Sequence, residues 1–224
     1  MVIDEAKRRV ALAAAELVKD DMVIGVGTGS TVAHFIEVLG RRVAEGLRVL
    51  AVPTSFQSAI LLSEYGVPLT TLLEHPVLDL VVDGADEVDS DLNLIKGGGA
   101  ALTQEKIVAS ATEHLVIIVD SSKLVQRLGE SMGVPVEVIP MAWRLVKRKL
   151  EERDAKVVLR EGARKAGPVV TDNGNFILDV HFREIADPGS LEVELNAVPG
   201  IVENGLFVGC LLYTSDAADE GLGV

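Results

Sequence analysis

Four short runs of aliphatic residues, at 22–26, 48–52, 78–82 and 115–119, punctuate the first half of the chain. Apart from Arg48 and Asp79, each is apolar without alternation and gives way abruptly to glycine and polar residues, the pattern of a strand buried on both faces. Apolar residues at helical spacing follow the first run (Val32, Phe35, Ile36, Leu39) and the second (Ile60, Leu61, Leu62, closing at Gly66). Ser30 or Thr31 is available to cap the first of these helices. Another amphipathic helix precedes the first strand. There Asp4 and Glu5 come before the basic residues, and Glu16 and Lys19 interrupt the alanine-rich stretch, unlike a signal peptide.

Strands alternating with helices imply a parallel sheet with right-handed crossovers, which carries all the strand ends to one rim. The expectation is an α/β fold with a Rossmann-like main domain. From Gly129 the texture changes. Glycines and Pro135 suggest a linker, 136–139 a short strand and 141–150 a basic helix. Strands follow at 156–160 and 176–182, the second preceded by a turn at Thr171, Asp172, Asn173 and Gly174, and then a helix at 191–197 ends at Pro199 and Gly200. This half predicts a small α+β domain, 129–203, inserted near the C-terminus of a main catalytic domain made of 1–128 and 204–224.

A hydrophobic content of 48% in 224 residues supplies a substantial core, built from aliphatic residues because aromatics are only 4%. The net charge of -13 argues against nucleic-acid and anionic-membrane partners and requires a site for any anion to be locally positive. No apolar run reaches the roughly 18 residues of a membrane-spanning helix. The lone cysteine, Cys210, permits no internal disulfide and fits a reducing cytoplasm.

The strand ends carry the candidate chemistry. Thr28, Gly29, Ser30 and Thr31 join the first strand to its helix, and a helix start approached through glycine offers backbone N–H groups, positive dipole and hydroxyls to a phosphate. Ser30 stands where the dinucleotide fingerprint needs glycine, and the Gly-Lys pair of a P-loop is missing. A tight turn without ligand is the competing reading. Asp83, Gly84, Ala85 and Asp86 place two acids around small residues at the third strand end, suited to a polyhydroxylated ligand or simply to water. Lys96 precedes Gly97, Gly98 and Gly99, where bare backbone can approach a ligand closely. Glu105 lies in the following helix and is a candidate general base, although taken alone such a glutamate is more often solvated. Lys123 tips the fourth strand. Asp89, Asp91 and Asn93 match the start of a calcium loop, but Leu94 and Ala100 occupy the positions that need glycine and glutamate, so no metal site is expected.

Taken in order, GVGTGST, VDGADEVD, IKGGGAALTQEKI, PVEVIPMA and VVTDNGNFILDV resemble ribose-5-phosphate isomerase of the A type over residues 1–209. The resemblance implies cofactor-free interconversion of D-ribose 5-phosphate and D-ribulose 5-phosphate in the pentose phosphate pathway. It also implies a homo-oligomer, commonly a dimer, with a sugar phosphate substrate. Carried onto this chain, it implies substrate contacts from Thr28, Gly29, Ser30, Thr31, Asp83, Gly84, Ala85, Asp86, Lys96, Gly97, Gly98, Gly99 and Lys123, with Glu105 as proton acceptor. Isomerisation moves a proton between C1 and C2 through an enediolate. Glu105 can shuttle that proton, Lys96 can stabilise the oxyanion, and Asp83 or Asp86 can handle hydroxyl protons. The alternative is a non-catalytic sugar-phosphate-sensing module of the same superfamily, but no DNA-reading segment precedes Met22. From Cys210 the chain departs from the family pattern and resembles a translated sequencing-library adapter. Residues 210–224 are therefore expected to be foreign and to leave the sheet without an edge element.

Overall fold

The computed structural model describes residues 2–209 and 213–216. In chain order the elements are α1 (Val2–Glu16), β1 (Met22–Val26), α2 (Ser30–Ala44), β2 (Val49–Pro53), α3 (Phe56–Glu64), β3 (Leu80–Asp83), β4 (Glu87–Val88), β5 (Leu94–Ile95), α4 (Leu102–Ala109) and β6 (Leu115–Val119). They continue with β7 (Val134–Val138), α5 (Trp143–Glu151), β8 (Lys156–Leu159), β9 (Phe176–His181), α6 (Pro188–Asn196), β10 (Ile201–Asn204), β11 (Leu206–Phe207) and β12 (Tyr213–Asp216). Among the described residues no helix is long and apolar enough to cross a membrane.

Two compact units emerge. One holds the described part of Met1–Ala85, Gln104–Leu124 and Cys210–Val224; the other holds Asp86–Thr103 and Val125–Gly209. These bounds differ from the expected 1–128 with 204–224 and 129–203. Residues 86–103, 125–128 and 204–209 join the second unit: β4, β5 and β11 form a sheet of order β11-β5-β4, and Ile95, Leu128 and Leu206 pack in the second unit's core.

The first unit is built on a parallel sheet of order β12-β6-β3-β1-β2. Gly25 lies opposite both Val52 and Val81, and Asp83 opposite Ile117, so the carboxyl ends of β1, β2, β3 and β6 share one edge as the topology predicts. Ile24, Val26, Val82 and Ile118 are fully buried against Phe35, Ile36 and Leu39 of α2 and Val10, Ala11 and Ala14 of α1. Burying each large side chain of this kind contributes roughly 1.5–3 kcal/mol. The cap of α2 is Gly29, with φ 117, so Ser30 and Thr31 lie inside the first turn and not before it. The expected loss of an edge element is corrected by β12, which pairs in parallel with β6 from Tyr213 opposite Val116 to Asp216 opposite Val119. Edge pairing uses backbone groups and tolerates an unusual side-chain order. Cys210 and the rest of the expected foreign tail lie outside the described residues.

In the second unit an antiparallel sheet of order β10-β7-β9-β8 packs Val134, Val136, Val138, Leu178 and Val180 against Val146 and Leu150 of α5 and Leu195 of α6. Pro135 lies within β7 instead of a linker. Its carbonyl accepts the Gly205 N–H at 2.7 Å. A strand residue directs its N and O to the same side, so the missing proline N–H costs no ladder bond to β9.

Candidate active site

In the first unit the site grows from the end of β1. The Gly27 N–H donates to the Val82 carbonyl at 2.9 Å, and the chain then turns over Asp83. Asp83 is buried, and its Oδ1 accepts the N–H of Thr28 at 3.1 Å and of Gly84 at 2.7 Å. Only glycine fits at 27, because a Cβ there would lie 1.8 Å from Asp83 Oδ1. The Thr28 hydroxyl meets Thr54 Oγ1 at 2.9 Å and donates to Ser55 Oγ at 2.7 Å, joining the ends of β1 and β2. Ser55 in turn caps α3 through a reciprocal bond with Ser58. The hydroxyls of this rim are therefore held by one another and by the sheet.

Beside the start of α2, Lys7 Nζ donates to Ser30 Oγ at 2.9 Å. Beyond β6, Asp120 opens a 3₁₀ turn, Ser121–Lys123, and accepts both the Ser122 N–H, at 3.0 Å, and the Ser122 hydroxyl. Burial raises the Asp120 pKa, but the two Ser122 bonds and the charges of Lys7 and Lys123 outweigh it and hold the carboxyl below its ordinary value. Both ammonium groups thus act on Asp120. Two lysines and the N-terminus of α2, with Ser30 and Thr31 in its first turn, bring positive charge to this edge beside Asp120, the kind of feature an anion site requires. Glu105 lies in the first turn of α4 and is 5% exposed, so the reading of a solvated helix residue does not apply.

In the second unit Asp86 leads into β4, its N–H donating to the Ile95 carbonyl at 2.8 Å. Across this hairpin Lys96 follows β5, its N–H donating to Gly205 O at 2.9 Å. Its side chain is 3% exposed and lies with Nζ 5.5 Å from the Phe207 ring centroid. The glycine run then turns sharply, with Gly97 at φ 101 and Ala100 at φ 61, and the Ala100 N–H donates to Gly97 O at 2.9 Å. Gly98 N donates to Asp86 Oδ2 at 2.7 Å, and a Cβ on Gly98 would stand 2.6 Å from Asp86 Oδ1.

Asp83 thus holds the β1 turn, and Asp86 the glycine turn. Asp89, part of the calcium-like run, accepts the N–H groups of Asp91 and Asn93 and the Asn93 side chain, shaping the hairpin between β4 and β5. Among the described residues no cluster of His, Cys, Asp and Glu could hold a metal ion.

Several contributors go unread in the sequence. Lys7 is one of three consecutive basic residues, and only the packing of α1 singles it out as half-buried beside exposed Arg8 and Arg9. Glu87 is fully buried and accepts the N–H groups of Gly129, Ser131 and Met132, tying down the segment taken for a linker. Glu137, also fully buried, gathers the hydroxyls of Thr103 and Thr171 and the amides of Asn173 and Asn175, so the TDNGN turn serves to anchor the start of α4.

The ribose 5-phosphate isomerase A (phosphoriboisomerase A) family matches residues 50–219. Ribose-5-phosphate isomerase A of Methanothermobacter thermautotrophicus is 56% identical over 217 residues, covering 96% of this chain and 95% of the relative. This chain belongs to the ribose 5-phosphate isomerase A family. The Thermococcus kodakarensis relative of the same name is 52% identical, with 92% of this chain and 91% of the relative covered. The solved ribose 5-phosphate isomerase A of Methanocaldococcus jannaschii superposes with a TM-score of 0.93 at 49% identity, over 97% of this chain and 96% of that one. A D-ribose-5-phosphate isomerase solved in complex with phospho-erythronic acid reaches 0.95 at 46% identity, with the same coverage. The family match runs past residue 209, where the sequence departs from the quoted motifs.

Proposed function

We infer that the chain is an aldose–ketose isomerase that interconverts D-ribose 5-phosphate and D-ribulose 5-phosphate. The observation that carries this is near full-length identity of 56% to a ribose-5-phosphate isomerase A. The complex of a structural relative with phospho-erythronic acid supports it chemically. That ligand is a four-carbon sugar acid with a phosphate at one end and, at the other, a carboxylate whose two coplanar oxygens imitate an enediolate.

The roles we propose follow from the geometry within each unit. Lys7, Ser30, Thr31, Lys123 and the start of α2 hold the phosphate, leaving the reacting carbons to other groups. Glu105, withdrawn from solvent, moves the proton between C1 and C2. Lys96, also withdrawn from solvent, supplies the positive charge that stabilises the enediolate oxygen as it forms. Asp83 or Asp86 takes the hydroxyl proton in ring opening, and the turns at 83–86 and 96–99 meet the sugar with backbone. We extend the reading to a place in the pentose phosphate pathway and a homodimer, which rest on the family resemblance, and to a cytoplasmic location, which rests on the lone cysteine.

The test is turnover of a panel: ribose 5-phosphate, glucosamine 6-phosphate and ribose without phosphate, each followed by proton NMR. Ribulose 5-phosphate formed from the first alone supports the assignment. Binding of ribose 5-phosphate without any turnover would favour the sensing module instead.

A further inference from the structure

The turn from Lys96 to Gly99 has three residues without side chains, so nothing of its own fixes its shape. A turn that meets a substrate at a reacting carbon has to hold one conformation. Arg160 supplies the missing constraint. Its Nη1 donates to the carbonyl oxygens of Gly97 at 2.9 Å and Gly98 at 3.1 Å. Asp179 grips the same guanidinium from its other edge, with Oδ2 accepting Nε at 2.9 Å and Oδ1 accepting Nη2. The two side chains are 16% and 24% exposed, so the pair is only partly screened by water.

The peptides here are trans, so each carbonyl points opposite to the N–H of its own peptide unit. Drawing the Gly97 carbonyl to Arg160 turns the Gly98 N–H the other way, where it donates to Asp86 Oδ2. Drawing the Gly98 carbonyl to Arg160 turns the Gly99 N–H away from the guanidinium as well. One cation thereby sets the direction of two successive backbone donors. Only a planar fork can meet two carbonyls and both oxygens of one carboxylate at once; an ammonium cannot.

We propose that Arg160, oriented by Asp179, is a positioning residue for the isomerisation: by holding back the Gly97 and Gly98 carbonyls it aims the Gly98 N–H at Asp86, fixing that carboxylate, and presents Asp86 and the Gly99 N–H to the reacting end of the sugar. The role rests on the isomerase reading above and on its assignment of Asp86 and the glycine turn to substrate. It accounts for a half-buried arginine and aspartate, 19 residues apart, that the mechanism otherwise leaves without a task.

The experiment compares wild type, Arg160→Gln, Arg160→Lys and Asp179→Asn in steady-state kinetics on ribose 5-phosphate and in backbone hydrogen exchange of the segment 96–101. In Arg160→Gln, kcat falls by about 10- to 100-fold, as misplacement of a reacting group by about an ångström does, while KM stays within about threefold. Exchange in 96–101 accelerates, Asp179→Asn shows a smaller version of both effects, and Arg160→Lys does not restore kcat. Unchanged kcat and exchange in Arg160→Gln overturn the proposal, as does a raised KM at constant kcat. A lowered melting temperature with wild-type kinetics below it also overturns it, since the pair is then only structural. Should Arg160→Gln fail to fold, the isosteric Asp179→Asn decides by the same criteria. A wild-type chain inert toward ribose 5-phosphate overturns the isomerase reading together with this role, whereas an active wild type matched by its variants overturns this role alone.

Discussion

At the end of β1 the backbone of Gly27 and Thr28 leaves a five-residue strand paired on both sides, and its next bonds go to β3 and to Asp83 at the tip of that strand. At the end of β5 the backbone of Gly97 and Gly98 leaves a strand of two residues, and its next bonds go to the side chains of Asp86 and Arg160. Both turns are proposed to meet the sugar phosphate with bare backbone. The first inherits its rigidity from the sheet, and the second receives it from charged side chains. Damage to the first should therefore appear in stability and activity together, and damage to the second mainly in activity.

The largest effect is predicted for Gly27→Ala. Its Cβ cannot coexist with Asp83 at 1.8 Å, so the carboxylate or the β1 turn must move. We expect a loss of about 1–3 kcal/mol in chemical denaturation, as for other overpacked sites, accompanied by a fall in kcat/KM of about a hundredfold. A variant with wild-type stability would break the comparison on this side. Gly98→Ala comes next. The added methyl presses on Asp86 Oδ1, at 2.6 Å, but the turn can yield without disturbing a ladder. Here kcat should drop about tenfold or more, with stability within about 1 kcal/mol of wild type. Equal destabilisation by the two alanines would show that both turns are held in the same way.

Lys7→Met sharpens the account of the phosphate end. Losing a charge-assisted contact to the phosphate is expected to raise KM for ribose 5-phosphate about tenfold with kcat within twofold, read from initial rates. The smallest effect belongs to Ser122→Ala. Asp120 has a lowered folded pKa, so its ionisation stabilises the fold above about pH 4, and that contribution fades as the pH falls through the lowered value. Without the Ser122 hydroxyl the contribution shrinks. The variant should be less stable near neutrality by on the order of 1 kcal/mol, with the gap closing in acid, as followed by thermal melts from pH 7 to pH 2. A gap that widens in acid would reverse the sign of this argument.

The same contrast explains what could be read from the chain. β1 and β6 coincide residue for residue with their apolar runs, because a strand buried on both faces leaves no ambiguity of period. Thr28, Asp83 and Lys123 were legible as strand ends once the sheet was parallel. The strands β4, β5 and β11 have two residues each, too short for any periodicity, and their absence from the reading shifted the expected domain bounds. Arg160 and Asp179 meet only through the register of β8 on β9, where Val158 pairs with Asp179, and the long irregular connection between these strands leaves that register unreadable from spacing along the chain. The cap of α2 fell to Gly29 because the turn requires a positive φ there, leaving the hydroxyls inside the first turn.

The central claim is that Glu105 carries the proton in a sugar phosphate isomerisation. Its most direct test is proton NMR of D-ribose 5-phosphate in deuterated water with the purified chain and EDTA, alongside Glu105→Gln. The account predicts ribulose 5-phosphate carrying deuterium at the transferred position, and a rate about a thousandfold lower in a folded Glu105→Gln that still binds the sugar. Isomerisation by Glu105→Gln at the wild-type rate would contradict it.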